Sequence, residues 1–273
     1  MDFSIYEVGP RDGLQNLEHT ISIDDRVKLI KSLSKAGLQN IEFGSFVHPK
    51  RLPTMAGAGE VFQRCLDVDA NLSALIPNKH GMKNALENGV ENFNIFFSPD
   101  ESFNMKNLGC WKDDAVSAYS EMLSDIPSSK VRVYLSKAFS SSSYLLKESI
   151  REAERLGDTV VLCDTNGHAS PKNIKQALGL SNGRTALHLH YSNDRKRMLE
   201  NITVAYETGI REFDTSIAGL GGCPFVKGSR GNLGTGELIA WAEQEGLDCG
   251  ISLNDIKEAE NLAKTLAKQE VLI

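Results

Sequence analysis

The sequence predicts a (β/α)8 TIM barrel with an extra C-terminal helix, and two observations support that prediction. Short apolar runs alternate with amphipathic segments along all 273 residues, which gives eight strand–helix units in succession. Several helical segments also end in a glycine directly before the next apolar run, as in Ala36-Gly37-Leu38 and Thr208-Gly209-Ile210. We therefore expect a single barrel domain over residues 1–273.

Each predicted strand is a short run of mainly apolar residues, bounded by polar or glycine-containing segments. The strands are predicted over residues 4–8, 40–46, 71–76, 92–97, 130–135, 159–163, 185–190 and 212–216. The helices between them repeat their apolar residues with the period of an α-helix. They are predicted over residues 24–36, 57–66, 79–88, 112–124, 143–156, 171–180, 194–208 and 234–245. Ser22 and Asp25 resemble a capping box at the start of the first helix, and Gly37 ends that helix.

One helical segment, over residues 252–268, has no strand after it. Its apolar residues Leu262, Leu266 and Val271 fit two arrangements, packing against its own barrel or packing on a second copy of the chain. A homodimer is therefore one possibility that the sequence leaves open.

An open, doubly wound sheet is the alternative fold. That fold calls for a glycine fingerprint after the first strand, and residues 9–13, Gly-Pro-Arg-Asp-Gly, do not supply one. No Pro/Ser/Gly-rich linker divides the chain, and the serine run 140–143 is typical of a loop that caps a helix. The closed barrel is favoured.

Composition excludes several classes of protein. The formal net charge is −6 without an extended Lys/Arg cluster, which argues against a nucleic-acid partner. No apolar run approaches the roughly 18 residues of a membrane span, and the N-terminus enters a strand without a basic-then-apolar leader. The five cysteines are scattered and odd in number, so reduced thiols and a cytoplasmic location are expected.

The pair His188 and His190 indicates a metal site. Residues two apart on a strand point to the same face, so both imidazoles are available to one cation. Asp12 follows the first strand and Asn232 follows the eighth, and in a closed barrel strands one, seven and eight are neighbours. We expect these four side chains to meet at the carboxyl end of the barrel, where the mixed donor set suits Mg²⁺ or Mn²⁺. Two histidines bonded to backbone groups are the alternative.

Three further charged residues lie at the carboxyl ends of predicted strands. Arg11 is placed to bind a carboxylate or to stabilise an oxyanion, although it also fits an ion pair with Asp12. Glu42 and Asp164 end strands two and six, where a carboxylate can transfer protons or support a metal ligand. Either of these two residues can instead cap the following helix.

Cys223 lies in an unusual segment, residues 213–233, that contains five glycines and a proline. Such a segment is poorly suited to a helix or a strand and predicts a folded-back loop. Because the loop also contains Leu and Phe, it is untypical of a flexible linker. We interpret the Cys223 thiol as chemically active.

Four motifs together resemble the 3-hydroxy-3-methylglutaryl-CoA lyase family, part of a metallolyase group of TIM barrels. They are EVGPRDGLQN at 7–16, NIEFGSFVHPK at 40–50, SPDESFNMKN at 98–107 and SIAGLGGCPFVKGSRGNL at 216–233. The resemblance implies a retro-Claisen cleavage that yields acetyl-CoA and a keto acid, with an acyl-CoA substrate and a divalent cation, Mg²⁺ or Mn²⁺, with Zn²⁺ also possible.

The resemblance also assigns roles to the residues named above. The implied metal ligands are Asp12, His188, His190 and Asn232. Arg11 would stabilise the acetyl-CoA enolate, and Cys223 would transfer a proton. Glu42 would lie near the metal, and Asp164 would be the catalytic-site aspartate.

The chain departs from the family pattern at residues 136–140, 166–168 and 191–193. These departures extend the expected substrate to related 3-hydroxyacyl thioesters. A Claisen-condensing acyltransferase or pyruvate aldolase on the same barrel is the alternative enzyme, and a non-catalytic barrel that binds a metal and a ligand is the alternative outside catalysis.

Overall fold

A computed structural model describes residues 1–190, 194–221 and 231–268 of the chain. Eight parallel strands close into a barrel in chain order, so each strand pairs with its neighbours in sequence and the first pairs with the eighth. The strands are β1 Ser4–Glu7, β2 Asn40–Ser45, β3 Asn71–Leu75, β4 Asn92–Phe97, β5 Val131–Leu135, β6 Thr159–Asp164, β7 Arg184–Leu189 and β8 Glu212–Thr215. The predicted (β/α)8 fold is confirmed, and the open doubly wound sheet is excluded.

Helices surround this barrel. They are α1 Ile23–Lys35, α2 Ala58–Gln63, α3 Lys79–Glu87, α4 Glu101–Asn107, α5 Lys112–Met122, α6 Ser143–Leu156, α7 Pro171–Leu178, α8 Arg195–Glu207, α9 Thr235–Glu245 and α10 Lys257–Ala267. Ser22 accepts a hydrogen bond from the amide of Asp25, as the predicted N-cap of α1 requires, and Gly37 follows that helix with φ at 95°.

Two helix predictions need correction. Helix α4, a short helix whose N-cap is the carboxylate of Asp100, was not predicted from the sequence. The last helix begins at Lys257 and not at residue 252, because the side chain of Asp255 bonds the amide and hydroxyl of Ser252 in a local turn. Leu266 of α10 is buried, and its carbonyl is 2.8 Å from Nε2 of His19, so this helix packs against its own barrel.

Five of the eight strands end one residue earlier than predicted, because the chain leaves the sheet to form the loops of the mouth. After β1, for example, the carbonyl of Val8 accepts hydrogen bonds from the amides of Arg11, Asp12 and Gly13. These bonds form a single π-helical turn, Gly9–Gly13, which ends well before α1 begins. It fixes Arg11 and Asp12 directly above the end of the strand.

The apolar core lies between the barrel and the helices. Leu29, Ile30 and Leu33 of α1 are fully buried, and so are Ile41 and Phe43 on the outward face of β2. No helix within the described residues is long and apolar enough to cross a membrane.

The inside of the barrel is largely polar. In many (β/α)8 barrels this space is filled by branched apolar residues. Here Asn94 donates hydrogen bonds to Glu42 and Ser73, and the hydroxyl of Tyr6 is 2.5 Å from that of Ser73. The fold therefore holds a connected set of buried polar groups beneath the mouth of the barrel.

Candidate metal and active site

Three of the four predicted metal ligands form one buried cluster. Candidate ligand atoms of Asp12, His188 and His190 all lie within 4.8 Å of one another. Asp12 comes from the turn after β1, His188 is near the end of β7, and His190 lies just beyond that strand. Because β8 lies between β1 and β7, the closed barrel brings these elements together.

Each imidazole of the cluster is oriented through its Nδ1 atom. Nδ1 of His188 is 3.0 Å from Oδ2 of Asp214, and Nδ1 of His190 is 3.0 Å from the carbonyl oxygen of Asp164. A histidine that binds a metal through one nitrogen usually donates its other N–H to a carboxylate or a carbonyl. With Nδ1 engaged in this way, Nε2 is the nitrogen available to a cation.

Asn232 completes the donor set. The segment that returns from the β8 loop forms an isolated antiparallel bridge between Asn232 and His190, and the amide of Leu233 donates to the carbonyl of Leu189. The side-chain nitrogen of Asn232 donates to Oδ2 of Asp12 at 2.8 Å and to the carbonyl of Leu220 at 3.1 Å.

The side-chain oxygen of Asn232 tests whether these residues fit a cation. It is buried and has no hydrogen-bond partner within the described residues, which carries a free-energy penalty unless another group binds it. A carboxylate, two imidazoles and a free amide oxygen together suit a divalent cation such as Mg²⁺ or Mn²⁺. The residues therefore fit the metal that the family resemblance implies.

Gly221 leaves room for this arrangement. Its φ is 93°, and a Cβ there would lie 2.8 Å from the side-chain nitrogen of Asn232 and 2.9 Å from the carbonyl of Asp12. Any larger residue would push apart the two segments that supply ligands.

At Asp12 and His190 the electrostatic environment favours the deprotonated forms that metal ligands require, whereas the neighbouring Asp214 carboxylate raises the pKa of His188 against the effect of burial. Burial opposes ionisation of Asp12, but the nearby Arg11, His188 and His190 and the hydrogen bond from Asn232 lower its pKa to about 2. Burial and the neighbouring His188 lower the pKa of His190 to about 4, so its ring is neutral at pH 7.

Arg11 joins the cluster to a second carboxylate. Its Nη1 donates to Oδ1 of Asp12 at 2.6 Å, and its Nε and Nη2 both contact Oε2 of Glu42 at 2.6 Å. Burial alone would lower the pKa of Arg11, but the two carboxylates outweigh it and raise the pKa above its ordinary value. The predicted ion pair with Asp12 is present, and it leaves the guanidinium at the edge of the metal cluster.

Glu42 contacts the guanidinium of Arg11, which in turn contacts Asp12. It is fully buried and lies outside the ligand cluster, with Oε2 on Arg11 and Oε1 accepting from Asn94 at 2.8 Å. Its carboxylate therefore anchors the guanidinium of Arg11 and is not free to act on a ligand by itself.

The carboxylate of Asp164 is directed toward the loop that follows β6. Oδ1 accepts the backbone N–H of His168 at 2.8 Å, so the carboxylate caps the turn after β6 while its carbonyl holds His190. Burial raises its pKa to about 6, against the opposing effect of the loop amides. A carboxyl that titrates near neutral pH at the mouth of a barrel is suited to proton transfer.

Cys223 and the departures at residues 191–193 lie outside the described residues. The role expected for Cys223 stays a prediction.

The other departures, at 136–140 and 166–168, lie in neighbouring loops at the mouth. The backbone amide of Lys137 donates to the hydroxyl of Thr165, and the side-chain amide of Asn166 donates to the hydroxyl of Ser140.

Asp214 and Arg132 were not predicted from the sequence as residues of the site. Both are buried inside the barrel, Asp214 against His188 and Arg132 against Asp214. The alternation of β8, which puts Glu212 and Asp214 on one face, was the available signal. It shows that Asp214 points inward but not which residue it meets.

Comparison with known proteins gives a consistent result. The chain is 32% identical to a hydroxymethylglutaryl-CoA lyase of Bacillus subtilis, covering 99% of this chain and 96% of the relative. It is 33% identical to a 3-hydroxy-3-isohexenylglutaryl-CoA/hydroxy-methylglutaryl-CoA lyase of Pseudomonas aeruginosa, covering 93% of this chain and 89% of the relative.

A solved structure shares the whole fold. An HMG-CoA lyase from Acinetobacter baumannii, in complex with coenzyme A and 3-methylmalate, superposes with a TM-score of 0.90 at 29% identity, covering 98% of this chain and 92% of that one. The protein-family model described as HMGL-like matches residues 2–263. On its sequence and its fold, the chain belongs to the HMGL-like family.

Proposed function

We propose that this protein is a divalent-metal-dependent carbon–carbon lyase that cleaves 3-hydroxy-3-methylglutaryl-CoA, or a closely related 3-hydroxyacyl thioester, to acetyl-CoA and a keto acid. One observation carries the proposal: the buried cluster of Asp12, His188 and His190 lies in direct contact with Arg11 at the mouth of the barrel. This combines a cation site with a fixed positive charge, which suits a reaction that develops an enolate oxyanion.

The relatives support the substrate class. Two of them are named hydroxymethylglutaryl-CoA lyases, one also for the longer isohexenyl substrate, and the Acinetobacter lyase was solved with coenzyme A and a hydroxy dicarboxylic acid. The departures of this chain at its mouth bear on the acyl group and not on Asp12, Arg11 or the histidines.

The proposed metal ligands are Asp12, His188, His190 and Asn232. A bound Mg²⁺ or Mn²⁺, or less fittingly Zn²⁺, would act as a Lewis acid toward substrate oxygens. Asp214 and the carbonyl of Asp164 hold the two imidazoles in the orientation that ligation needs.

The remaining residues move protons and stabilise charge. A base removes the proton of the tertiary hydroxyl, and Asp164, with its raised pKa, is the described candidate. The carbon–carbon bond then breaks. The former hydroxyl carbon becomes the ketone of the keto acid, and the electron pair of the broken bond passes to the other fragment, which becomes the thioester enolate. Arg11, held by Glu42, stabilises the enolate oxygen. The Cys223 thiol then gives a proton to the enolate carbon, which completes acetyl-CoA.

The test is a product assay on the full chain. Incubation with 3-hydroxy-3-methylglutaryl-CoA and Mn²⁺ or Mg²⁺ should release equal amounts of acetyl-CoA and acetoacetate, and a chelator should stop the release. A panel of thioesters with longer 3-alkyl groups, run in parallel, measures how far the changed mouth alters acyl preference. If none of these thioesters yields acetyl-CoA with either metal, the proposal is wrong.

Two finer expectations stay predictions. The cytoplasmic location is supported by the scattered cysteines, four of which are free thiols in the described residues. For the homodimer, the described part of α10 gives no support, because Leu266 is buried against the barrel. Val271 lies outside the described residues.

A further inference from the structure

A line of alternating charges runs through the inside of the barrel. At the amino end of the strands, Nη2 of Arg184 is 2.6 Å from Oε2 of Glu212. Arg132 on β5 then contacts both Glu212 and Asp214. Asp214 in turn lies 3.0 Å from Nδ1 of His188. An unbroken series of contacts therefore joins the amino end of the barrel to a proposed metal ligand.

Arg132 is the centre of this line. Its side chain is only 7% exposed, and its two terminal nitrogens engage different carboxylates, Nη1 on Glu212 and Nη2 on Asp214. The ring of Tyr6 stacks beneath the guanidinium at 3.9 Å. With both ends of the fork and one face in contact, the guanidinium has one available position.

Asp214 is the residue that Arg132 constrains. It is fully buried, and its two oxygens have different partners: Oδ1 contacts Arg132 and Oδ2 contacts His188. Without Arg132 nothing would hold Oδ1, and this carboxylate would be free to rotate. Rotation would weaken the contact that orients the imidazole of His188.

We propose that Arg132 is a positioning residue of the metal centre: by holding Oδ1 of Asp214 it fixes Oδ2 against Nδ1 of His188, and so fixes the tautomer and direction of the ligating ring. The inference rests on the proposed metal site. The loss of a partner that orients a metal ligand typically reduces metal affinity by about 10-fold to 100-fold. Arg132 acts one step further out, and we expect its removal to fall in the same range.

Arg26 provides a matched control. It is equally buried, but it lies in α1 outside the barrel, where its Nη1 donates to the carbonyl of Ala56 at 2.7 Å. Arg26→Met removes a buried guanidinium without touching the interior. It should leave Mn²⁺ affinity and the His188 ring signal unchanged.

The experiment measures Mn²⁺ binding by isothermal titration to the metal-free full-length chain, together with ¹⁵N NMR of its histidine rings. At a pH high enough to keep the ring neutral, His188 of the wild type should show a protonated Nδ1 and a bare Nε2, with the signal assigned from a His188→Ala spectrum. Arg132→Met should weaken Mn²⁺ binding by about 10-fold to 100-fold and abolish this single-tautomer signal. Arg132→Lys, which keeps the charge but has no fork to reach both carboxylates, should give an intermediate affinity.

The outcomes separate this inference from the proposed function. A wild-type chain that binds neither Mn²⁺ nor Mg²⁺ overturns both. A wild type that binds Mn²⁺, with an Arg132 variant that is folded and matches it in affinity and in the His188 signal, overturns the positioning role alone. Arg132→Met leaves Asp214 buried without its guanidinium partner and can therefore fail to fold. In that case the same two measurements on the folded Arg132→Lys variant test the positioning role.

Discussion

The two faces of strand β5 differ sharply in character. Val131, Val133 and Leu135 point outward into the apolar layer beneath the helices, whereas Arg132 and Tyr134 point into the barrel among other buried polar groups. The same backbone therefore supplies stability on one side and charge on the other. Apolar burial stabilises wherever it occurs, but each buried charge needs a specific partner. We expect substitutions in the outer layer to change stability alone and substitutions inside the barrel to change metal binding and turnover.

The largest effect is expected for His190→Ala. It removes a proposed ligand, so Mn²⁺ affinity should fall by more than the roughly 100-fold upper range for residues that only orient ligands, and turnover should be lost with it. Titration of Mn²⁺ and a product assay measure both. The matched control is His80→Ala, an exposed histidine on α3. Unchanged Mn²⁺ affinity in the His190 variant would remove this residue from the ligand set.

The second-largest effect is expected for Arg11→Lys. A lysine keeps the positive charge but cannot bind Asp12 and Glu42 with the same fork, so it will not hold its charge where the enolate oxygen forms. The loss of one such stabilising contact typically reduces kcat by about 100-fold to 1,000-fold. Steady-state kinetics at saturating Mn²⁺ measure this fall. A parallel drop in bound metal would instead mean that Arg11 mainly supports Asp12.

Leu29→Ala tests the outer layer. Leu29 is fully buried in α1, and truncation of such a residue costs about 2–5 kcal/mol of the free energy of unfolding. Urea unfolding should show this loss, while kcat and Mn²⁺ affinity of the folded variant stay at the wild-type level. Leu66→Ala, at a position 63% exposed, is the control and should change stability by no more than about 0.5 kcal/mol. A Leu29 variant that is impaired in metal binding would contradict the division between the two faces.

The smallest effect concerns Glu7, a buried carboxyl on the outward face of β1 and so an exception in the outer layer. It accepts hydrogen bonds from the amides of Gly9 and Ile217 and the hydroxyl of Thr235. Burial nevertheless raises its pKa from 4.5 to about 7.

Because the folded chain binds this proton more tightly than the unfolded chain, Glu7 stabilises the fold below pH 4.5 and loses that contribution as the pH rises to about 7. Glu7→Gln should flatten this part of the stability profile, measured by urea unfolding at several pH values between 4.5 and 8. An unchanged slope in the variant would show that other groups set the profile.

Much of the fold could be predicted, because local periodicity reports which face of an element is buried. The His188/His190 pair followed from the alternation of a strand, and the meeting of Asp12 with both histidines followed from closure of the barrel. Strand ends were less predictable, since the loss of the last pairing depends on what the loop bonds to, as at Val8. The missed helix α4 is only seven residues long, too short for periodicity to reveal.

The partners of the buried charges were the least predictable feature. Glu42, expected near the metal, binds the guanidinium of Arg11, and the carboxylate of Asp164 accepts a hydrogen bond from its own loop. Both alternatives, anchor or catalytic group, are compatible with the same position at the end of a strand. The choice depends on distances of an ångström or two across the barrel, which sequence spacing does not contain.

By itself the sequence determined the eight-unit barrel, the face on which each strand residue lies and the residue types that gather at the mouth. These depend on apolar periodicity and on short-range turn chemistry, which act between neighbours along the chain. Only the tertiary structure decided that Arg132 joins Asp214 and thereby His188, residues up to 82 positions apart. Closing the barrel removes these groups from water, and a buried charge is then paired with whichever opposite charge the opposing strands bring within reach.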